Sequence, residues 1–596
     1  MNYLGVNSGH GASVTLMLNG KIEFIYQEER FTKIKNFIGY PKLSLNYCFK
    51  YIKKKNIQID TAAFTATTQK RFTYKYPISN YFTVKDYKYF YGKGYYSRII
   101  EKKSIKGYLK NLEKKKINKS TLPLDKLNLV GKNNDEEMRY LLKSTLMKQS
   151  NNSIKKIIFV DHHTCHAHYA YFSLNKKDIK KNKIAILTID SLGDGINQTL
   201  WLPSKNKKNI SSINRSSQCH LARIYKFVTL ILSMKPNEHE FKVMGMAPYA
   251  KKEYSNIIYE KVFKNLLQVK NCKIINKHRQ KNLYEYLKDK LEEYRFDNIS
   301  GAVQMFTEKL ISELLLQINK KYKIDSFTIS GGVSMNIKMN KVLSELKFVK
   351  NIFVPSTGTD ESLSVGACYY LSKHNSKHLS NIYLGRNLFE NKNSIPKKID
   401  KVFSNKKKFL IKKNVTQSFI AKLLNEGKII ALAQGKEEFG ARSLGNRSII
   451  ADPSKFEVVQ TINEMIKNRD FWMPFALSIL HNKQHNFIIN KKKILSEFMT
   501  IGFDSIKKNL HLIKAGTHPY DGSVRPQMLK KNKNINFYNL INEFYKVSGI
   551  PAVLNTSLNL RGCPISSDIH DVYKTFEHSE LKYLYIENKY LITKKN

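Results

Sequence analysis

The sequence predicts a mixed α/β protein of two domains, the first of which repeats its own core. Three observations predict it. A chain of 596 residues is longer than one ordinary hydrophobic core organises. Residues 2–27 and 183–201, far apart in the chain, both read as strand, glycine turn, strand. A polar, core-poor segment near 373–382 then separates this part from a second alternation of strands and helices.

Taken in order, residues 2–7 form a strand that ends at the turn Ser8-Gly9-His10-Gly11. Strands Ser13–Leu18 and Lys21–Gln27 are joined by Asn19-Gly20, a two-residue hairpin signal. Residues 66–150 are rich in Lys and Tyr, carry no clear motif and read as an inserted, mostly helical segment. The strand Lys183–Ile189 leads into Asp190-Ser191-Leu192-Gly193-Asp194-Gly195 and a further strand to Trp201. Residues 298–320 have helical periodicity through Ala302, Met305, Phe306, Leu310 and Leu314, and precede the strand Ser326–Ile329 and the turn Ser330-Gly331-Gly332-Val333. Two strand–turn–strand units around helical stretches indicate a duplicated core of the actin/hexokinase kind over 1–375. The second domain, 382–596, alternates strands (Ile429–Ala433, Pro551–Leu554) with helices (Phe537–Tyr545).

Composition excludes several classes. An apolar fraction of 42% with 12% aromatics excludes wholesale disorder. The net charge of +54 would suit a nucleic-acid binder, but the excess is lysine spread from end to end among Asn and Ile, so nucleic acid is not indicated. Six scattered cysteines without a CxxC fit a reducing compartment. No basic-then-apolar leader and no apolar run near the ~20 residues of a bilayer span is visible, and the protein reads as cytoplasmic, without a membrane partner. Oligomeric state is not legible.

Three clusters can carry chemistry. In Asp161-His162-His163-Thr164-Cys165-His166-Ala167-His168, a helix starting near His162 puts His162 and His166 on one face, a spacing that lets two imidazoles share a metal ion. Carboxylates to complete the set are offered by Asp190 and Asp194 in one turn and by Asp360 in Pro355-Ser356-Thr357-Gly358-Thr359-Asp360-Glu361, with a turn or helix cap as the alternative for each. Such a mixed set suits iron(II), manganese or zinc. Gly331-Gly332, with Asn336 behind them, let main-chain N–H groups approach a phosphate or adenosine, although a plain tight turn explains them equally. Arginine is scarce in this chain, yet Arg442, Arg447, Arg469, Arg525 and Arg561 all fall in the C-terminal third; their planar forks suit phosphate or carboxylate, and structural ion pairs are the alternative.

In this order the segments resemble the O-carbamoyltransferase family of nodulation-factor and antibiotic biosynthesis. The carrying stretches are Glu28-Glu29-Arg30-Phe31-Thr32-Lys33-Ile34-Lys35, His162-His163-Thr164-Cys165-His166-Ala167 and Glu240-Phe241-Lys242-Val243-Met244-Gly245-Met246-Ala247-Pro248-Tyr249, then Phe439-Gly440-Ala441-Arg442-Ser443-Leu444-Gly445-Asn446-Arg447-Ser448 and Asn555-Thr556-Ser557-Leu558-Asn559. The resemblance implies an N-terminal domain similar to the tRNA threonylcarbamoyl-transfer enzyme and a C-terminal domain similar to the carbamoyl-adenylate-forming (YrdC-like) enzymes. It implies carbamoyl adenylate made from carbamoyl phosphate and ATP (with magnesium), and carbamoyl transfer to a hydroxyl, sugar or glycan, at a metal that is usually iron(II).

By motif, the resemblance places His162, His166, Asp190 and Asp360 on the metal and His10 and Lys35 at the transfer site, with His163 left free for substrate. Gly331, Gly332 and Asn336 would face the adenylate; Arg442, Arg447, Arg469, Arg525 and Asn555 would hold carbamoyl phosphate and ATP. The chain departs from the family pattern at Gly11, Ala441, Met473 and Thr359, which leaves the four metal positions intact. Two other readings stand beside it: a sugar or metabolite kinase, motivated by the glycine turns, and a tRNA threonylcarbamoyl-type modification enzyme, motivated by the charge.

Overall fold

The computed structural model describes residues 1–69, 82–92, 94, 134–175, 183–467 and 470–595. The chain is a mixed α/β protein that divides into two compact units, Met1–Leu379 and Ser380–Asn596. Most of the expected 66–150 insertion lies outside the described residues.

Unit 1 holds two five-stranded sheets built to one plan. The first comprises β1 (Asn2–Asn7), β2 (Ser13–Leu18), β3 (Lys21–Gln27), β4 (Ile59–Thr65) and β5 (Ile154–Val160), in the order β3-β2-β1-β4-β5. The second comprises β6 (Ile184–Gly193), β7 (Ile196–Pro203), β8 (Ile210–Ser216), β11 (Ser326–Ser330) and β12 (Asn351–Phe353), in the order β8-β7-β6-β11-β12. A two-stranded ribbon, β9 (Leu267–Lys270) with β10 (Lys273–Asn276), lies between them in sequence. In each sheet the first three strands are an antiparallel meander and the last two add in parallel. Asn19 (φ 48°) and Gly20 (φ 75°) make the turn of the first hairpin, where positive φ favours these residues.

The helices exchange sheets. α1 (Lys42–Lys54) packs on β2, and its residues Leu45, Cys48 and Ile52 join the core formed by Leu4, Val6, Leu16 and Phe24. α2 (His162–Phe172) leaves β5 of the first sheet but packs on β6, β7 and β11 of the second. α3 (Leu221–Ile231), α4 (Glu240–Met246), α5 (Phe296–Tyr322) and α6 (Ile337–Glu345) follow. α7 (Leu363–Ser372) leaves β12 of the second sheet and packs on β1, β2 and β4 of the first. α2 and α7 also meet each other, so closely that a Cβ on Gly366 would lie 1.8 Å from the Cys165 carbonyl oxygen. The strand ends that feed these two helices therefore converge on one place.

Unit 2 is built on one eight-stranded sheet. Its strands are β13 (Phe409–Lys412), β14 (Ile430–Ala433), β15 (Arg447–Ala451), β16 (Ala476–Leu480), β19 (Pro526–Leu529), β20 (Ala552–Ser557), β21 (Tyr583–Ile586) and β22 (Tyr590–Lys594). The order is β13-β22-β21-β14-β15-β20-β16-β19, with β17 (Ile488–Ile489) and β18 (Asp504–Ser505) forming a separate ribbon. α8 (Gln417–Asn425) and α9 (Ile535–Ser548) pack together, and α10 (Ile569–Glu577) places Ile569, Val572 and Phe576 in the core beside Ile449, Leu554 and Leu584. Five cysteines are buried, Cys563 is exposed, and none forms a disulfide. Among the described residues no helix is long and apolar enough to cross a membrane.

Candidate metal centre and anion site

The metal candidates stand where α2 begins. The Asp161 side chain accepts from Thr164 N (2.8 Å), which caps the helix, and pairs with Arg215 at 2.5 Å. A helix starting at His162 brings His162 and His166 to the same face, one turn apart. Asp190 comes from the end of β6, and Asp360 from the turn between β12 and α7. Asn7 ties that turn to the first sheet: its Nδ2 donates to the Asp360 carbonyl (2.9 Å), and its Oδ1 accepts from Thr65 Oγ1 (2.8 Å).

Two glycines let these parts approach. A Cβ at Gly193 would sit 2.1 Å from Cδ2 of the His162 ring. Gly331, at φ 86°, would put a Cβ 2.3 Å from the Ile189 carbonyl oxygen, and the next residue donates its N–H to Asp190 Oδ2 at 3.3 Å. Close approach and left-handed backbone together require glycine at 331.

His166 Nε2 lies 3.3 Å from Asp190 Oδ2 and 3.4 Å from Asp360 Oδ1; His162 Nε2 lies 3.8 and 3.7 Å from the same oxygens. One ligand atom from each of the four residues falls within 4.8 Å of every other. Atoms about 2.1 Å from a common ion are roughly 3.0 Å apart at octahedral edges and ~3.4 Å at tetrahedral ones, so the set fits one cation, slightly expanded. The two Nε2 atoms are buried and make no hydrogen bond. His166 Nδ1 has Ser330 Oγ at 3.3 Å and Ser362 Oγ at 3.4 Å, and donation to either serine leaves the Nε2 lone pair for a ligand. Burial alone would depress the His166 pKa, but Asp190 and Asp360 outweigh it and push it up to about 9. Burial likewise opposes ionisation of Asp190, yet His162 and His166 hold its carboxyl well below the usual carboxylate range. Two histidines and two carboxylates form a donor set for a borderline or hard divalent cation.

Around this quartet the other candidates fall unevenly. His10 is at the edge, its Nδ1 3.8 Å from Asp360 Oδ2 and its buried Nε2 without a hydrogen bond. Lys35 lies within electrostatic reach of His239, on the segment that enters α4. His163, expected to be free for substrate, is not: it is fully buried, with Nδ1 2.6 Å from Thr188 Oγ1 and Nε2 3.0 Å from the Ile196 carbonyl. Burial, with help from His162 and His166, lowers its pKa to about 3. It braces α2 against β6 and β7. Asn336, expected to face an adenylate, instead caps α6 by accepting from Met339 N (2.9 Å) and exchanges two hydrogen bonds with the Gln304 amide at 2.9 and 3.0 Å. Gly332 contributes its N–H to Asp190, whereas Gly331 serves the close approach described above.

In unit 2 the arginines separate by role. Arg442 is half-buried in the loop between β14 and β15; its Nε makes no hydrogen bond, and burial pushes its pKa down to about 10. A desolvated guanidinium with an unpaired nitrogen calls for an anion. Arg447, assigned to the same anion by sequence, is fully buried and spends its fork on main-chain carbonyls: Ser567 (2.9 Å), Gln434 (2.6 Å), Asn446 (2.9 Å) and Gly435 (3.1 Å). It holds the loop that carries Arg442 rather than a ligand. Asn555 is similarly engaged, donating to Ser443 O (3.2 Å) and Ser478 Oγ (2.8 Å) and accepting from Ser443 Oγ (3.1 Å). Arg525 is half-buried just before β19, and Arg469 lies outside the described residues.

Sequence reasoning missed two buried carboxylates, Glu361 and Glu438, that shape both places. Glu361 accepts from the hydroxyls of Thr357 and Thr359 beside Asp360. Glu438 gathers the N–H groups of Leu444 (2.6 Å), Asn446 (3.2 Å) and Arg447 (3.3 Å) into the Arg442 loop. Asp194, for which a turn or helix cap stood as the alternative to a metal carboxylate, binds the N–H groups of Thr67, Thr68 and His162. An acid followed by small or turn residues carries no signal that separates a main-chain clamp from a ligand.

Comparison with known proteins is consistent along the whole chain. Residues 2–369 match the family model described as carbamoyltransferase N-terminus, and residues 421–594 the model described as carbamoyltransferase C-terminus. An uncharacterized protein of Methanocaldococcus jannaschii is 29% identical, with 99% of both chains covered. The nodulation protein NolNO of Sinorhizobium fredii is 25% identical over 98% of this chain and 79% of its own length. Among solved structures, full-length HypF in its phosphate- and nucleotide-bound form aligns over 62% of this chain and 55% of its own, at 12% identity and a TM-score of 0.34, a likeness too low to carry weight.

Proposed function

This chain belongs to the carbamoyltransferase family, and from that premise we propose that it is an ATP- and carbamoyl-phosphate-dependent O-carbamoyltransferase with a metal-assisted transfer site. On this reading unit 1 has the actin/hexokinase-like core and unit 2 the YrdC-like one. Unit 2 makes carbamoyl adenylate, and unit 1 passes the carbamoyl group to a hydroxyl of a sugar or glycan. The observation that carries it is the quartet His162, His166, Asp190 and Asp360, with two buried Nε2 atoms left without hydrogen bonds.

In unit 2, carbamoyl phosphate, ATP and a water give carbamoyl adenylate, with phosphate and pyrophosphate released. Arg442 supplies a fixed positive charge to the phosphoryl oxygens, and Arg447 and Glu438 hold its loop so that this charge needs no reorganisation. In unit 1, His162, His166, Asp190 and Asp360 would hold a divalent cation, iron(II) by family resemblance, which would supply charge stabilisation for carbamoyl transfer. His10 takes the hydroxyl proton or orients it, with Asp360 3.8 Å from its other nitrogen. Gly332, where a Cβ would come no nearer than 3.6 Å to Asp190 Oδ1, leaves the main chain open to the adenylate, while Gly331 packs this turn against Ile189. AMP is a far better leaving group than an alkoxide, which accounts for the use of ATP.

The test is product analysis with the full chain, ATP, magnesium and carbamoyl phosphate. Pyrophosphate and AMP are expected, with Arg442→Ala reducing pyrophosphate by 100-fold or so, the scale of about 2.7 kcal/mol for one lost electrostatic donor. ADP as the nucleotide product would instead establish a kinase, and pyrophosphate formation unchanged by Arg442→Ala would sink the assignment of the anion site.

A further inference from the structure

We infer that Asp194 is a positioning residue of the metal centre, a clamp that sets His162 by joining the start of α2 to the end of β4 and to the β6–β7 turn. The inference rests on the metal reading above and concerns a residue outside the quartet.

Asp194 sits at the tip of the turn between β6 and β7 in a left-handed conformation, φ 49°. Its carboxylate receives three main-chain N–H groups: Thr68 at 2.7 Å on Oδ1, Thr67 at 3.0 Å and His162 at 2.8 Å on Oδ2. Thr67 and Thr68 follow β4 of the first sheet, His162 follows β5 of the same sheet, and Asp194 belongs to the second. One carboxylate thus joins the two sheets at the residue that begins the ligand-bearing helix. Only a group with acceptors on both oxygens can serve all three donors. Asparagine serves at most two of them and turns an NH2 toward the third.

The end of β6 carries a metal ligand and the turn that follows it carries the clamp, since Asp190 and Asp194 are four residues apart. Its shape is held by Asn197 Nδ2, which donates to the Ser191 carbonyl at 2.5 Å. His162 is then fixed on three sides. Asp194 holds its main-chain nitrogen, Gly193 lies against its ring, and its Nε2 is aimed at Asp190 and Asp360. His166, a turn further along, is held by Ser330, Ser362 and the body of the helix. Releasing the clamp therefore displaces one imidazole more than the other, which changes coordination geometry rather than only fold stability.

The experiment uses the full chain and Co2+ alone, read by its visible d–d absorption and by titration against a chelator. Asp194→Asn is expected to weaken Co2+ binding roughly 10–100-fold, the usual scale for groups that orient ligands, and to alter the d–d bands. Asn282→Ala is the comparison for a merely structural loss: Asn282 caps the helix Leu283–Leu291 through Tyr284 N (3.1 Å) and Glu285 N (3.3 Å), and its removal is expected to lower the unfolding midpoint with affinity and spectrum unchanged. If Asp194→Asn does not fold, Asp194→Glu, which keeps both acceptors but moves them by a methylene, is read in the same way. Parental affinity and spectrum in the Asp194 variants, alongside a His162→Ala variant that has lost Co2+, overturn the clamp and leave the metal centre standing. Equal Co2+ binding by the parent and His162→Ala removes the metal centre and the clamp with it.

Discussion

Replacing Arg447 with methionine decides between a ligand-binding arginine and a scaffold arginine. The side chain is fully buried and donates to the main-chain carbonyls of Ser567, Gln434, Asn446 and Gly435. Methionine has similar length and no donor, so these four carbonyls, three of them in buried contacts, lose a charged partner at once. At ~1.5 kcal/mol for each bond to a charged group the loss is about 6 kcal/mol. Water entry and local closure, together with removal of the buried charge itself, reduce this to roughly 3–5 kcal/mol. For a unit of this size each kcal/mol moves the midpoint by about 2–4 °C, so a drop of roughly 6–20 °C is expected for the unit-2 transition. Differential scanning calorimetry of the full chain measures it, and Arg447→Lys should recover only part, since a single ammonium cannot copy the fork. A variant that melts with the parent but no longer binds carbamoyl phosphate would refute the scaffold reading and restore the role suggested by sequence.

The remaining expectations concern unit 1. Gly331→Ala forces a Cβ to 2.3 Å from the Ile189 oxygen at φ 86°, and should destabilise the fold by about 1–3 kcal/mol while displacing Asp190; thermal melts and metal content together check it. His162→Ala and His166→Ala should each lose bound metal on elemental analysis, His166 more completely because it lies nearer both carboxylates. Burial lowers the His168 pKa to about 4, against the upward pull of its hydrogen bond to the Thr164 carbonyl. The unfolded chain then binds a proton near pH 6.5 that the folded chain refuses, so His168 costs stability progressively as pH falls from about 6.5 to about 4, by up to ~1.4 kcal/mol per pH unit. Urea unfolding of His168→Phe should show a shallower slope over that window than the parent, and an identical slope would count against a neutral His168.

Much of the fold could be read because local signals were unambiguous. The first three strands fall at 2–7, 13–18 and 21–27, where alternation and the Asn19-Gly20 turn put them. The helix expected over 298–320 runs from Phe296 to Tyr322 on its apolar stripe. The exchange of α2 and α7 between sheets was not legible, since no residue pattern records which sheet a helix covers. At the site, helical spacing brought His162 and His166 together, but it could not tell that His163 faces Thr188 and Ile196 instead. Arginine scarcity pointed equally at Arg442 and Arg447. One faces no carbonyl acceptor through its Nε, whereas the other is consumed by four, and the identity of an acceptor is a tertiary fact. Likewise Asp190 and Asp194 look alike in sequence and differ only in what converges on them.

Because α2 springs from one sheet and covers the other, the order of synthesis matters to it. At about 5–20 residues per second, the ribosome releases Asp360 roughly 10–40 s after His162, with some 200 residues made in between. For most of that interval the histidines and β6–β8 are present without β11, β12 or the carboxylate that closes the set. A nascent chain therefore carries an incomplete chelator and a helix covered on β6 and β7 alone, and the arrival of β11, β12 and α7 completes the enclosure of both.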